Sequence, residues 1–141
     1  MKKNIKLLVT CVGGDLSPEL LKQIKKSKVY NYTIIGVDTN NKIVGKYFCD
    51  KFYQITSGEN HSKFIDDIVK IIDEEKVDFV LPSSDEEAVA LSLNKRSIEK
   101  KGCVVFTDYF NKIDILNDKL KTYTHIKKKK LNNFFWKYVK N

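Results

Sequence analysis

The chain has 141 residues, a net charge of +8, and 42% hydrophobic and 31% charged residues. That length suits one domain with a real core, and no apolar run is long enough to span a membrane. The N-terminus leads straight into a short strand pattern, too short for a signal-peptide core, so the expected compartment is the cytoplasm. The charge is unevenly spread: from Asp118 onward eight lysines face one acid, which gives +7, whereas residues 1–117 hold 18 basic and 17 acidic groups. Arg96 is the only arginine. Base-edge and phosphate readers favour arginine forks, so neither a nucleic-acid nor a membrane partner is expected.

The first element is a strand over Ile5–Thr10. Leu7, Leu8 and Val9 are uniformly apolar, as in an inner strand of a parallel sheet with both faces covered. Gly13 and Gly14 follow, freeing the backbone for a tight turn, positive φ included. Ser17 as N-cap and Pro18 as first helical residue open a helix to about Lys26, with Leu20, Leu21 and Ile24 on one face. Tyr32–Asp38 is a second strand that ends in an acid. Thr39–Lys42 is a polar turn, Val44–Phe48 a short helical or irregular piece, and Asp50–Ile55 a more polar strand near an edge.

Ser62 is expected to cap a helix to about Lys76 with Ile65, Ile68, Val69 and Ile72 as its apolar stripe and Asp66 and Asp67 in its first turn. Asp78–Pro82 is a fourth strand. Ser84 and Glu87 form an S-x-x-E capping box for a helix that ends at Gly102. Cys103–Thr107 is a fifth strand. Asp108 is expected to cap a short helix with Phe110, Ile113 and Leu116 inward. This alternation predicts a Rossmann-like, doubly wound α/β sheet of about five parallel strands with helices on both faces. Right-handed crossovers and a reversal after the third strand predict the order 3-2-1-4-5.

That order places strands one and four side by side at the switch point. The turn at Gly13, Gly14 and Asp15 then faces the turn at Ser83, Ser84, Asp85 and Glu86 across one crevice, where a ligand would sit. Asp38 lies 24 residues after Gly14, where a ribose-binding acid belongs in a dinucleotide site. The glycine pattern has no third glycine, however, and Asp15 puts a negative charge where a pyrophosphate needs bare N–H groups. The acids at Asp85, Glu86 and Glu87 repel anions and suit an ammonium- or hydroxyl-bearing substrate. Plain helix capping explains the same residues. Cys11, Cys49 and Cys103 are widely spaced, His61 and His125 are isolated, and no metal site is expected; the cysteines read as small buried hydrophobes.

Five pieces of the sequence, in this order and spacing, carry a resemblance: Leu-Leu-Val-Thr-Cys-Val-Gly-Gly, Ile-Gly-Val-Asp, the stretch from Val44 to Ile55, Val-Asp-Phe-Val-Leu-Pro-Ser-Ser-Asp-Glu-Glu, and Asn-Asp-Lys-Leu-Lys-Thr. Together they resemble the N-terminal, pre-ATP-grasp domain of carbamoyl-phosphate-synthase-large-subunit-like ligases, with the ligase of pyrrolysine biosynthesis a similar relative. The resemblance covers about residues 3–126. It implies a domain at 1–117 and, from 118 to 141, the entry to an ATP-grasp module followed by a basic tail.

In such ligases the module binds ATP and magnesium and activates a carboxylate as an acyl phosphate, which an amine attacks. The resemblance gives Lys119 the role of approaching the nucleotide phosphates, and puts Gly13, Gly14, Ser83, Ser84 and Asp85 on the substrate side. After Ile126 the sequence departs from the family: four lysines and an aromatic tail stand in place of the ATP-binding strands, the magnesium carboxylates and the lid. The chain alone is therefore expected to bind no cofactor and to turn over no ATP, with an ATP-grasp domain on a separate or downstream chain as its partner. The tail reads as a truncated or frameshifted end, as an amphipathic helix of Phe134, Phe135, Trp136, Tyr138 and Val139 that docks on a partner, or as a helix folded back on the body. Two other classes stay open: a small NAD(P)-binding protein using Gly13, Gly14 and Asp38, and a basic-tailed interaction protein.

Overall fold

A computed structural model describes residues 3–131 together with Lys137 and Val139. In chain order the elements are β1 (Asn4–Val9), α1 (Ser17–Lys25), β2 (Asn31–Asp38), a 3₁₀ turn (Gly45–Phe48), β3 (Lys51–Gln54), α2 (His61–Glu75), β4 (Phe79–Leu81), α3 (Asp85–Glu99), β5 (Val104–Val105), α4 (Phe110–Asn117) and α5 (Lys119–Lys128). The expected amphipathic helix at Phe134–Val139 lies outside the described elements.

The five strands form one parallel sheet in the order β3-β2-β1-β4-β5. β1 is central, with Leu8 in register with Ile35 on one side and Val80 on the other. Strand alternation sends Leu8, Ile35, Val37 and Val80 to the face covered by α2 and α3, where Phe64, Ile68, Ile72, Leu91 and Ile98 complete the larger core. Leu7, Val9 and Ile34 point the other way and pack with Val12 and Leu21. The unbroken apolar run of β1 thus serves two cores, which is why it shows no polar alternation.

Several local assignments are corrected. Ser17 lies inside α1 behind Leu16, and its hydroxyl donates to the Cys11 carbonyl at 2.9 Å rather than capping the helix. Leu20 stays 37% exposed while Leu21 is buried. α2 starts one residue before Ser62, with Asn60 as N-cap accepting from the Lys63 N–H, so Asp66 and Asp67 fall beyond the first turn. Asp67 instead accepts from the Thr56 N–H at 2.9 Å and holds the β3–α2 loop. Of the expected stripe Ile68 and Ile72 are buried and Ile65 and Val69 only partly so, while Phe64 and Ile71, off that stripe, are buried as well.

β5 has only two residues, and Asp108 does not cap α4; its carboxylate accepts from the Tyr109 N–H and pairs with Lys112. α4 buries no side chain, and Phe110 and Leu116 are exposed rather than inward. α5 is capped by Asp118, which accepts from the Lys121 N–H at 3.0 Å, and the Thr122 hydroxyl ties α5 to the Ile115 carbonyl of α4. Of the cysteines only Cys103 is buried; Cys11 and Cys49 are half-buried. Among the described residues no helix is long and apolar enough to cross a membrane.

The 3₁₀ turn closes over the start of the β1–α1 loop at Gly45, where a Cβ would collide with the carbonyl of Val12. Backbone cannot yield as a flexible side chain can. Gly45→Ala is expected to lower the unfolding free energy by about 1–3 kcal/mol, read as a lower urea midpoint at unchanged slope; an unchanged midpoint would show that the turn does not sit against Val12.

Candidate functional site

The carboxyl ends of β1, β2 and β4 open into a crevice of about 240 Å³ lined by Cys11, Asp38, Thr39, Ser57, Gly58, Glu59, Ser84, Glu86 and Glu87. β1 and β4 diverge here because the chain leaves them toward opposite faces of the sheet, α1 on one and α3 on the other. Of the residues expected at this site, Asp38, Ser84 and Glu86 line the crevice. Gly13, Gly14, Asp15, Ser83 and Asp85 are not among its lining residues, and Gly13, Asp15, Ser83 and Asp85 face solvent.

The glycine corner is tied to Asp38. Asp38 is only 8% exposed, and its Oδ2 accepts from the Gly13 N–H at 2.8 Å while Oδ1 accepts from the Asn40 N–H at 3.0 Å. One carboxylate thus fixes both the β1–α1 loop and its own turn. The left-handed residue of that loop is Cys11, at φ 51°, and not either glycine. Asp38 therefore spends its oxygens on backbone N–H groups, which weakens the dinucleotide reading, since a ribose-binding acid must offer them to hydroxyls.

Glu87 forms the floor. It lies in the first turn of α3 and is 5% exposed, and its carboxylate accepts from the Thr10 hydroxyl. Thr10 Oγ1 in turn accepts from the Ser83 N–H at 3.3 Å. The relay Ser83–Thr10–Glu87 thus joins β1, the end of β4 and α3. Ser84 caps α3 by accepting from the Glu87 N–H, as expected, while Glu87 serves the relay as well as the cap. The β3–α2 loop closes the third side. It passes so near that a Cβ on Gly58 would lie 2.9 Å from Glu87 Cγ and 3.1 Å from its backbone nitrogen. Thr10, Cys11, Thr39, Ser57, Gly58 and Glu59 were not expected at this site, whereas Glu87 reads in the sequence both as a helix cap and as a substrate-facing acid. The signals available were a threonine ending an apolar strand and a glycine in the Thr56–Asn60 loop.

The crevice is acidic. Asp38, Glu59, Glu86 and Glu87 line it, and no lysine or arginine does. Burial pushes the Glu87 carboxyl above its ordinary range; hydrogen bonds from Thr10 and Ser84 oppose the shift, and the charges of Asp38 and Glu86 add to it. Burial and then the charges of Glu87 and Asp38 push the Cys11 thiol up, away from the thiolate form. Four carboxylates without a cation do not fit the phosphates of ATP, which need N–H groups, cations or both. Among the described residues no group of three or more His, Cys, Asp or Glu side chains is placed to hold a metal ion.

A family model described as PylC-like, N-terminal domain matches residues 7–106. The chain belongs to this family. Comparison with curated proteins gave no match. Among solved structures the PylC-like domain resembles N5-carboxyaminoimidazole synthetase from Staphylococcus aureus complexed with ADP, at TM-score 0.65 and 17% identity, over 91% of this chain and 30% of that one. It also resembles glycinamide-RNase-transformylase T from Mycobacterium tuberculosis, at TM-score 0.62 and 12% identity, over 88% and 35%. A third is the biotin carboxylase domain of a thermophilic 2-oxoglutarate carboxylase bound to bicarbonate, at TM-score 0.62 and 16% identity, over 87% and 27%. These likenesses show the fold. The PylC-like domain spans about a third of the length of these chains. Lys119 opens α5, exposed and outside the crevice lining.

Thr10→Val keeps the shape of the side chain but removes the relay. It is expected to cost about 1–3 kcal/mol in urea unfolding, because the buried Glu87 carboxylate loses a donor and the Ser83 N–H its acceptor. The pH dependence has a definite sign. An acid whose pKa is raised by folding holds its proton longer in the folded state, so its ionisation draws stability away as pH rises through the raised value. Glu87→Gln should therefore gain on the parent protein as the pH is taken from acid to neutral. A constant difference across that range would contradict the buried, relay-bound carboxyl.

Proposed function

We propose that the chain is the substrate-side N-terminal domain of an ATP-grasp carboxylate–amine ligase of the carbamoyl-phosphate-synthase-like kind, with the nucleotide-binding module on further polypeptide of the same or a second chain. The observation that carries the reading is the PylC-like family match over residues 7–106, on a sheet whose switch-point crevice is acid-lined. The solved chain in complex with ADP is consistent with it, since the fold described here corresponds to 30% of that chain.

In this reading the crevice receives the amine partner of the ligation. Asp38 and Glu87 are committed to the scaffold, so Glu86 and Glu59, exposed at the rim, are the groups free to hold an ammonium. The Thr39, Ser57 and Ser84 hydroxyls offer neutral hydrogen bonds beside them. The acidic wall keeps phosphate out, so the nucleotide belongs to the other module, which supplies ATP and magnesium chemistry when joined. Gly13, Gly14, Asp15, Ser83 and Asp85 then form the outer margin of this half-site. Lys119, at the start of α5, is the lysine that would face the module. A domain boundary between residues 117 and 118 belongs to the same reading, at the point where α4 gives way to α5.

Amide chemical-shift mapping tests this reading, with free amino acids, ATP–magnesium and NADH as separate titrants. Amino acids are expected to move the amides of Thr39, Ser57, Glu59 and Ser84. Glu86→Gln is expected to weaken that binding roughly fivefold, the worth of one exposed ion pair of about 1 kcal/mol. Saturable NADH binding lost in Asp38→Ala, or metal-dependent ADP release by the pure chain, would overturn the proposal.

A further inference from the structure

The last two helices are held unlike the others. α2 and α3 each bury five residues, whereas α4 and α5 bury none. The bonds that brace the pair are internal to it: Lys112 pairs with Asp108, Lys121 with Asp114, and the Thr122 hydroxyl donates to the Ile115 carbonyl at 2.6 Å. The grip on the body comes from Lys95 of α3. β5 is an edge strand, and the Val104 and Phe106 N–H groups donate to the carbonyls of Asp78 and Val80 beside it, so Val105 presents its own N–H and C=O to the open side. Lys95 donates to that C=O at 2.6 Å and to Glu99 at 2.7 Å, while Glu99 accepts from that N–H at 3.2 Å. The same Lys95 Nζ lies 5.9 Å from the centre of the Tyr109 ring, with the Arg96 guanidinium 5.4 Å from it, directly before α4. The Lys95 side chain is only 12% exposed, so these charged contacts are little weakened by water.

We propose that α4 and α5 form one arm, hinged at Thr107 and Asp108 and latched to α3 by Lys95, that swings off the body as a unit while the sheet stays folded. Segments with few buried apolar contacts open at a free energy well below that of global unfolding. The hinge itself carries a cost while the arm is docked. Thr107 Oγ1 is buried without a hydrogen-bond partner among the described residues, and opening lets water satisfy it. The Lys121–Asp114 pair and the Thr122–Ile115 bond hold the two helices to each other, so the latch gives way before the arm does. The movement displaces Lys119 relative to the crevice and leaves Asp38 and Glu87 in place. The arm shares no residue with the crevice lining and its motion needs no ligand, so this inference stands or falls apart from the proposed function.

Native-state hydrogen exchange of the full chain under rising urea tests this. The amides of residues 113–117 and 123–128 are expected to exchange together through one opening, while those of Ile68 and Leu91 exchange only with global unfolding. Lys95→Met keeps the stem of the latch and removes its charge, and is expected to speed that opening roughly tenfold. Tyr109→Ser, at an exposed position, removes the ring alone and is expected to speed it roughly threefold. Thr107→Val removes the unpaired hydroxyl at nearly constant shape and is expected to slow the opening roughly fivefold, which a merely frayed helix end would not show. Circular dichroism verifies that each variant folds, and Tyr109→Ser and Thr107→Val carry the test alone if Lys95→Met does not. Exchange of α4 and α5 only with global unfolding would overturn the proposal, as would exchange of α5 well ahead of α4. An opening whose rate the folded variants leave unchanged would overturn it as well.

Discussion

The hydrogen bond from the Thr10 hydroxyl to the Glu87 carboxylate is the constraint on which the rest of the molecule depends. It joins the end of the central strand to the first turn of α3, and the Ser83 N–H extends the joint to β4. Parallel strands that part toward opposite faces need such a joint, since no ladder hydrogen bond continues beyond the ends of the strands. A buried carboxylate is costly unless it is well partnered. Here the Thr10 hydroxyl and the N-terminus of α3 both favour its charge. The approach of Gly58 fixes how closely the β3–α2 loop can pass.

The electrostatics of the crevice follow from that joint. With Glu87 in the floor and Asp38 bracing the Gly13 loop, two negative charges are built into the scaffold, and Glu59 and Glu86 add two more at the rim. A wall of this sign attracts ammonium groups and excludes phosphate. A Rossmann-like sheet is usually associated with nucleotides; the acidic lining of this switch point is what the proposed substrate-side role would need instead. The scaffold is braced at its far edge as well. Lys51 and Tyr53 of β3 both bond Glu75 at the end of α2 and hold its carboxyl below the ordinary range. Tyr53 is correspondingly pushed up to about 12.

The sheet was legible in the sequence because burial on both faces leaves a distinctive mark. Leu7, Leu8 and Val9 could belong only to an inner strand, and the alternation of strand and helix then determined the order of the other four. Caps were less legible. Ser17, Ser62 and Asp108 are all good capping residues, but each sits one or two places from the true cap; the Ser17 hydroxyl goes to the Cys11 carbonyl, and the Asp108 carboxylate goes to the Tyr109 N–H and Lys112. The inward face expected of α4 failed because helical spacing shows which residues share a face, but not whether anything covers it.

The site was half legible for a related reason. The topology predicted which loops meet, so Asp38, Ser84 and Glu86 were found. It could not show that Asp38 would bond the Gly13 N–H, nor that the β3–α2 loop, distant in sequence from both turns, would supply Ser57, Gly58 and Glu59. Titration of the side-chain carboxyl carbons by NMR tests the central claim most directly. The account predicts that Glu87 titrates above the exposed acids and that the Ser83 amide is protected from solvent exchange until Glu87 is replaced. If Glu87 titrates together with the surface glutamates and the Ser83 amide exchanges like an open loop, the joint does not exist and the crevice built on it does not either.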